Sequence, residues 1–293
     1  MIGAMADDIT VTPLSTALGA EIGGIDLSVA PDGDRLEAIL AAWHGNLVLL
    51  FRDQNISDEA FLDFSGRLGT LDLAPITVSG KHYRPELPEL AVISNVIEDG
   101  EPIGALGNSE AVWHTDMSYN DDPPMASLLY AIEIPPSGGN TGFCNMYAAL
   151  GALPGATRRR IDGLSCKHDS SHNSAGETRS GFADEFARRE DIPGAVHPLV
   201  CTHPDTGREV LYLGRRGNAY IPELSETDGE ALLNELWSYT VPADNTWHHE
   251  WRVGDVLLWD NRCTMHRRDD FDPATRRIMH RSQIRGTRMN AAA

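Results

Sequence analysis

The longest unbroken run of aliphatic or aromatic side chains larger than alanine is five residues, Leu-Val-Leu-Leu-Phe at 47–51. A membrane-spanning helix needs about 20 apolar residues, so the sequence predicts no transmembrane helix and no membrane partner. A run this short, bounded by polar residues, has the size of one buried β-strand. Short apolar stretches recur along the chain, and strands are expected at 90–93, 127–132, 142–146, 209–213, 255–259 and 277–284. Helical spacing interrupts them. Leu36, Ile39, Leu40 and Trp43 repeat on one face of 34–44, and Phe61, Phe64 and Leu68 follow the cap-and-acid start Ser57-Asp58-Glu59. Two helical segments are expected between 146 and 163, and another over 226–239 capped by Ser225. The predicted class is mostly β with flanking helices, a single domain over residues 1–293. The stretch at about 167–193 is polar and without period, and reads as a mobile lid.

The charge balance narrows the partners. The chain of 293 residues has 24 Lys plus Arg against 43 Asp plus Glu, a net charge of −19. Nucleic-acid affinity comes mostly from neutralising phosphates with clustered cations, so no nucleic-acid partner is expected. Of the cationic residues, 22 are Arg and only Lys81 and Lys167 are Lys. Residues 262–288 hold eight arginines against three acids, so the acidity lies elsewhere. Arg is the planar fork that grips carboxylates. The four cysteines form no CxxC pair and the first residues lack a basic, then apolar, leader. A cytoplasmic protein with free thiols is expected.

Four short segments carry chemistry. In Trp113-His114-Thr115-Asp116, His114 and Asp116 are two apart, and on a strand both would face one side. In Trp259-Asp260-Asn261-Arg262-Cys263-Thr264-Met265-His266, a histidine on a turn follows an apolar strand. Two His and one carboxylate make the facial triad of non-haem Fe(II) oxygenases, which leaves positions open for a cosubstrate and O2. The remaining histidines read as structural. Arg277 and Arg281 are four apart on a predicted strand and share a face, which is costly unless anions meet them; two arginines on an exposed strand face are the plainer alternative. Pro135-Pro136-Ser137-Gly138-Gly139-Asn140-Thr141 is a tight turn delivering a hydroxyl at a strand start, and by itself is an ordinary loop.

In this order these segments, with 18–27 and 49–54, resemble the taurine/2,4-dichlorophenoxyacetate dioxygenase family of Fe(II)- and 2-oxoglutarate-dependent oxygenases, over nearly the whole chain. The resemblance implies a double-stranded β-helix, a jelly-roll core of the cupin kind. It implies His114, Asp116 and His266 as iron ligands, with Thr141 and Arg277 holding the distal carboxylate of 2-oxoglutarate. Arg281, the implied catalytic-site arginine, matches the position that meets the acidic group of the substrate. The cofactors implied are Fe(II), 2-oxoglutarate as cosubstrate, and O2. The turn departs from the family pattern at Asn140, where Asp is usual.

The stretch 72–77 lacks the His and Tyr of relatives acting on taurine. Segments 91–96, 142–146, 203–208 and 213–216 are similar to the aryloxyalkanoate branch, which cleaves ethers by hydroxylating the carbon beside oxygen. The expected partner is a small anionic organic substrate, with amino acids or sulfonates as alternatives, and the expected assembly a homo-oligomer. A metal-dependent hydrolase or ring-cleaving dioxygenase using the same three ligands would leave Arg277 and Thr141 without a role. A non-catalytic metal- or 2-oxoglutarate-binding protein is the remaining rival. Lys81, Arg84 and Arg215 read as solvated surface or entrance residues.

Overall fold

The structure, a computed structural model, describes residues 9–75, 82–106, 111–179, 181–182 and 186–292. Two antiparallel-rich sheets carry the molecule. The larger has eight strands in the order Thr10–Pro13, Ala20–Gly23, Val48–Phe51, Val256–Asp260, Ala126–Glu133, Ile278–Ile284, Ala91–Ser94 and Ala105–Leu106. The smaller runs Thr246–His249, Thr141–Asn145, Thr264–Arg268 and Ala111–His114, antiparallel throughout.

Strand periodicity divides the core in two. Leu128, Tyr130, Val256 and Leu258 pack with Phe61 and Phe64 of helix Asp58–Leu68 and with Trp43 of helix Gly33–Asn46. Their neighbours Leu129, Ala131, Leu257 and Trp259 turn the other way, into one cluster with Phe143 and Met265 of the smaller sheet. The helices form where the spacing predicts. Ser57 Oγ accepts from Ala60 N at 3.2 Å and starts one of them. Leu47, at φ 66°, ends the other by donating its N–H to Trp43 O.

The same alternation governs Ile278–Ile284. His280 and Ser282 face helix Asp58–Leu68, bonding Asp58 at 2.6 Å and Ser65 at 2.7 Å. Met279, Arg281 and Gln283 face the opposite way, Met279 into the cluster between the sheets and Arg281 and Gln283 toward Asp116. A register shift at Ile278/Met279, opposite Glu133 and Ala131, passes over Ile132 of the neighbouring strand.

Three details differ from the sequence expectations. His266 is not on a turn: residues 261–263 turn, and His266 is central in the return strand Thr264–Arg268. Asp116 is not on a strand, because pairing stops at His114 and the chain turns. The third is the expected lid, whose first part is anchored. His168, Asp169 and Ser171 are buried, and Asp169 accepts from Ser171, His172 and Asn218. Residues 180 and 183–185 lie outside the described ones, as do 76–77 and Lys81. Among the described residues no helix is long and apolar enough to cross a membrane.

Candidate metal and cosubstrate site

His114 and His266 are register partners on adjacent strands, their rings 4.2 Å apart. His114 Nδ1 lies 2.7 Å from Val112 O. A carbonyl only accepts, so Nδ1 carries the proton and the Nε2 lone pair is left facing Asp116. The next residue, Thr115, donates its hydroxyl to Thr264 O at 3.1 Å, tying the turn to the strand of His266. Met117 then takes φ 46°, the left-handed conformation that turns the chain away just after Asp116.

Asp116 divides its two oxygens. Oδ1 is 3.6 Å from His114 Nε2, 3.8 Å from His266 Nε2 and 3.8 Å from Arg281 Nη1. Oδ2 accepts from Ser127 Oγ at 2.7 Å and Gln283 Nε2 at 3.3 Å. One ligand atom from each of His114, Asp116 and His266 falls within 4.8 Å of the others, close enough for one ion to touch all three. Burial alone would raise the Asp116 carboxyl; His266, His114 and Arg281 beside it overcome this and hold it well below the usual range. Burial, with His114 next to it, pushes His266 down to about 3. A neutral imidazole and an ionised carboxylate are the forms a divalent metal binds, so the donor set fits such an ion.

A second polar pocket lies around Arg277, only 2% exposed. Its backbone N–H donates to Asn95 Oδ1 at 3.0 Å, but its Nε has no hydrogen-bond partner, and no described acidic side chain pairs with it. Burial, with Arg268 nearby, lowers it to about 9. Uncompensated buried charge is costly, so the geometry calls for an anion there. The turn before Thr141 makes room: a Cβ on Gly139 would stand 3.3 Å from Arg277 Nε, and Gly139 adopts φ +66°. Thr141 Oγ accepts from Trp251 Nε1 at 3.0 Å, leaving its own proton free to donate.

Arg281 sits elsewhere. Arg277 directly precedes the strand Ile278–Ile284 that carries Arg281, and Arg281 is beside Asp116 rather than in the Arg277 pocket. Its Nε, too, is buried without a hydrogen-bond partner. The two arginines expected on one strand are therefore one strand residue and one residue before the strand, with different surroundings.

Trp251, Arg268 and Phe271 escaped the sequence reading. Arg268 and Arg277 lie 5.9 and 6.0 Å from the Phe271 ring centre. Arg268 is two residues past His266 and pairs with Thr141, so a strand reading of 264–268 would have found it. Nothing in the spacing signals Trp251. Arg84 is ion-paired with Asp58 and Glu86. Arg215 is not solvated surface: its Nη1 donates to His172 O at 2.7 Å and its Nε is buried.

A family model, taurine catabolism dioxygenase TauD, TfdA family, matches residues 10–283. The alpha-ketoglutarate-dependent 2,4-dichlorophenoxyacetate dioxygenase of Cupriavidus pinatubonensis is 32% identical over 94% of this chain and 96% of its own. The (S)-phenoxypropionate/alpha-ketoglutarate-dioxygenase of Sphingobium herbicidovorans is 32% identical over 96% of each chain. Pentalenolactone F synthase of Streptomyces avermitilis is also 32% identical, over 94% and 93%. Among solved structures, AAD-2 in complex with Mn(II) and N-oxalylglycine superposes with a TM-score of 0.77 at 30% identity, covering 97% of this chain and 99% of that one. A taurine dioxygenase from Burkholderia xenovorans gives 0.76 at 30%, over 96% and 92%. With its His-Asp-His cluster and a match over nearly its whole length, the chain belongs to the TauD/TfdA family of alpha-ketoglutarate-dependent dioxygenases.

Proposed function

We propose that this dioxygenase hydroxylates a C–H bond of a small organic acid, with cleavage of an aryloxyalkanoate ether as the leading case. The observation that carries the reading is the presence, in one molecule, of an anion-binding pocket at Arg277 and a His-Asp-His donor set. His114, Asp116 and His266 would hold Fe(II), which with 2-oxoglutarate and O2 supplies the oxidising equivalent and releases succinate and CO2. Arg277 would clamp the distal carboxylate of 2-oxoglutarate while Thr141 donates its hydroxyl to it, fixing the cosubstrate's orientation. N-oxalylglycine, held by a structural relative, has the 2-oxoglutarate skeleton with NH in place of one CH2. Arg281 would receive the acidic group of the substrate and so bring a C–H bond toward the metal. The relatives named for aryloxy acids support that substrate class. Pentalenolactone F synthase, at the same identity, supports the broader reading of a small carboxylate metabolite.

The sheets fit a jelly-roll core formed as one domain over residues 1–293, in which the 167–193 segment covers the entrance. The segment reaches the metal strand: Val112 N donates to Ser174 O at 2.9 Å, one peptide from the carbonyl that orients His114.

The test is an anaerobic titration. Fe(II) plus 2-oxoglutarate should give a weak visible charge-transfer band that Asp116→Ala abolishes. Absence of the band in intact protein refutes the cofactor assignment. Succinate release and product analysis across phenoxy acids, sulfonates and amino acids then decide the substrate. Turnover confined to non-aryloxy acids overturns the leading case.

A further inference from the structure

We propose that Ser127 is a positioning residue that holds Asp116 to a single metal-facing oxygen, its proton aimed by a hydrogen-bond chain that begins at Trp259. An indole N–H can only donate. Trp259 Nε1 donates to Asn261 Oδ1 at 2.9 Å, which fixes the orientation of the Asn261 amide. Its NH2 therefore faces Ser127, and Nδ2 donates to Ser127 Oγ at 3.0 Å. Gln283 Nε2 donates to the same oxygen at 3.2 Å. A hydroxyl has two lone pairs and one proton. With both lone pairs engaged, the proton goes to the remaining neighbour, Asp116 Oδ2, at 2.7 Å. All five side chains are buried, so water does not substitute for a lost link.

Asp116 Oδ2 is thereby tied on the side away from the histidines, and Oδ1 alone approaches His114, His266 and Arg281. A carboxylate tied in this way offers an ion one oxygen. Chelation through both oxygens would close a coordination position that a facial triad keeps open for cosubstrate and O2. The chain reaches the second ligand as well, since the Trp259 ring centre lies 4.9 Å from that of His266. Within the sequence W-D-N-R, the Trp and the Asn thus act on the metal ligands from behind. The inference rests on the Fe(II)/2-oxoglutarate reading above.

The experiment loads wild type, Ser127→Ala and Trp259→Phe anaerobically with Mn(II) and 2-oxoglutarate. Metal-bound water is counted by broadening of the Mn(II) resonance in 17O-enriched water, and Mn(II) affinity is titrated alongside. Wild type should retain one bound water. Ser127→Ala should lose it, with Mn(II) affinity changed by no more than about tenfold; in a separate assay with Fe(II), O2 and substrate it should form more succinate per molecule of product. Trp259→Phe keeps the ring beside His266 but frees the amide, and should show a mixture of the two states; it also provides the test if Ser127→Ala does not fold. An unchanged water count in the folded variants overturns the proposal, and so does complete loss of Mn(II) from them, which would make Ser127 merely structural. A wild type that fails to bind Mn(II) with 2-oxoglutarate overturns the dioxygenase site instead.

Discussion

His114, Asp116 and His266 on one side, and His203, Asp260 and Cys263 on the other, each bring three metal-ligating side chains within 4.8 Å. Both sets are largely buried, and residue type does not separate them. Their hydrogen bonds do. Asp260 Oδ1 accepts from Arg262 N at 2.9 Å and Nε at 2.8 Å, and its Oδ2 from Arg262 Nη2 at 2.7 Å and His203 Nε2 at 2.9 Å. His203 Nδ1 accepts two backbone N–H groups at 3.2 Å. The Arg262 guanidinium stands where a cation would stand, and overcomes burial to hold Asp260 at about 2. In the first set, the two Nε2 atoms face one carboxylate oxygen at 3.6 and 3.8 Å, without a hydrogen bond between them. A metal site is marked by donor atoms that the protein leaves uncommitted, and a structural cluster by donor atoms that it satisfies.

Exchanging the damage between the clusters gives the largest effects. Arg262→Ala leaves a buried carboxylate without its cation and should cost about 3–5 kcal/mol in urea unfolding, while the folded protein keeps its Fe(II)/2-oxoglutarate band. Asp116→Ala should do the reverse, abolishing the band with a much smaller change in the unfolding of the metal-free protein. If both variants lose stability equally, the contrast between the clusters fails. Arg277→Leu should raise the 2-oxoglutarate concentration needed for half-maximal band formation about 10–100-fold, from loss of a charge-assisted pair worth roughly 1.5–3 kcal/mol, with iron binding intact. Equal loss of iron would mean that the arginine is structural.

The smallest effect concerns a histidine belonging to neither cluster. His168 is buried with no hydrogen-bond partner at either ring nitrogen, against His197 and Tyr212. Burial, with His197, Arg215 and Lys167 adding to it, pushes it well below the ordinary histidine value. The folded state thus refuses a proton that the unfolded chain accepts below about pH 6.5. Stability falls as pH drops through that point, by at most about 1.4 kcal/mol per unit. His168→Leu should flatten this acid limb in urea unfolding measured from pH 7 to 5. An unchanged slope would place the titration elsewhere.

The legible part of this molecule was its one-dimensional part. Helices Gly33–Asn46 and Asp58–Leu68 lie where apolar spacing and Ser57 put them. Arg281 lies on the expected strand, whose observed start at Ile278 leaves Arg277 just before it. The illegible part needed a partner strand. Thr-Met-His-Arg-Arg has no apolar period, and it becomes a strand by pairing with Thr141–Asn145 and Ala111–His114. Missing it put His266 on a turn and hid Arg268. His114 and Asp116 are brought together through a turn anchored by Thr115, not through strand alternation. Trp251 reaches Thr141 across 110 residues, a contact with no local trace.

The strand Ile278–Ile284 is read from both sides at once: odd positions supply Arg281 and Gln283 to Asp116, and even positions supply His280 and Ser282 to a helix. Removing one codon here would slip the strand by a residue and exchange the two sets. Arginine would then meet the helix, and serine and histidine would meet Asp116. Substitutions at single positions alter one reader and leave the other untouched. This stretch of the gene can therefore drift by exchange of letters but not by change of length.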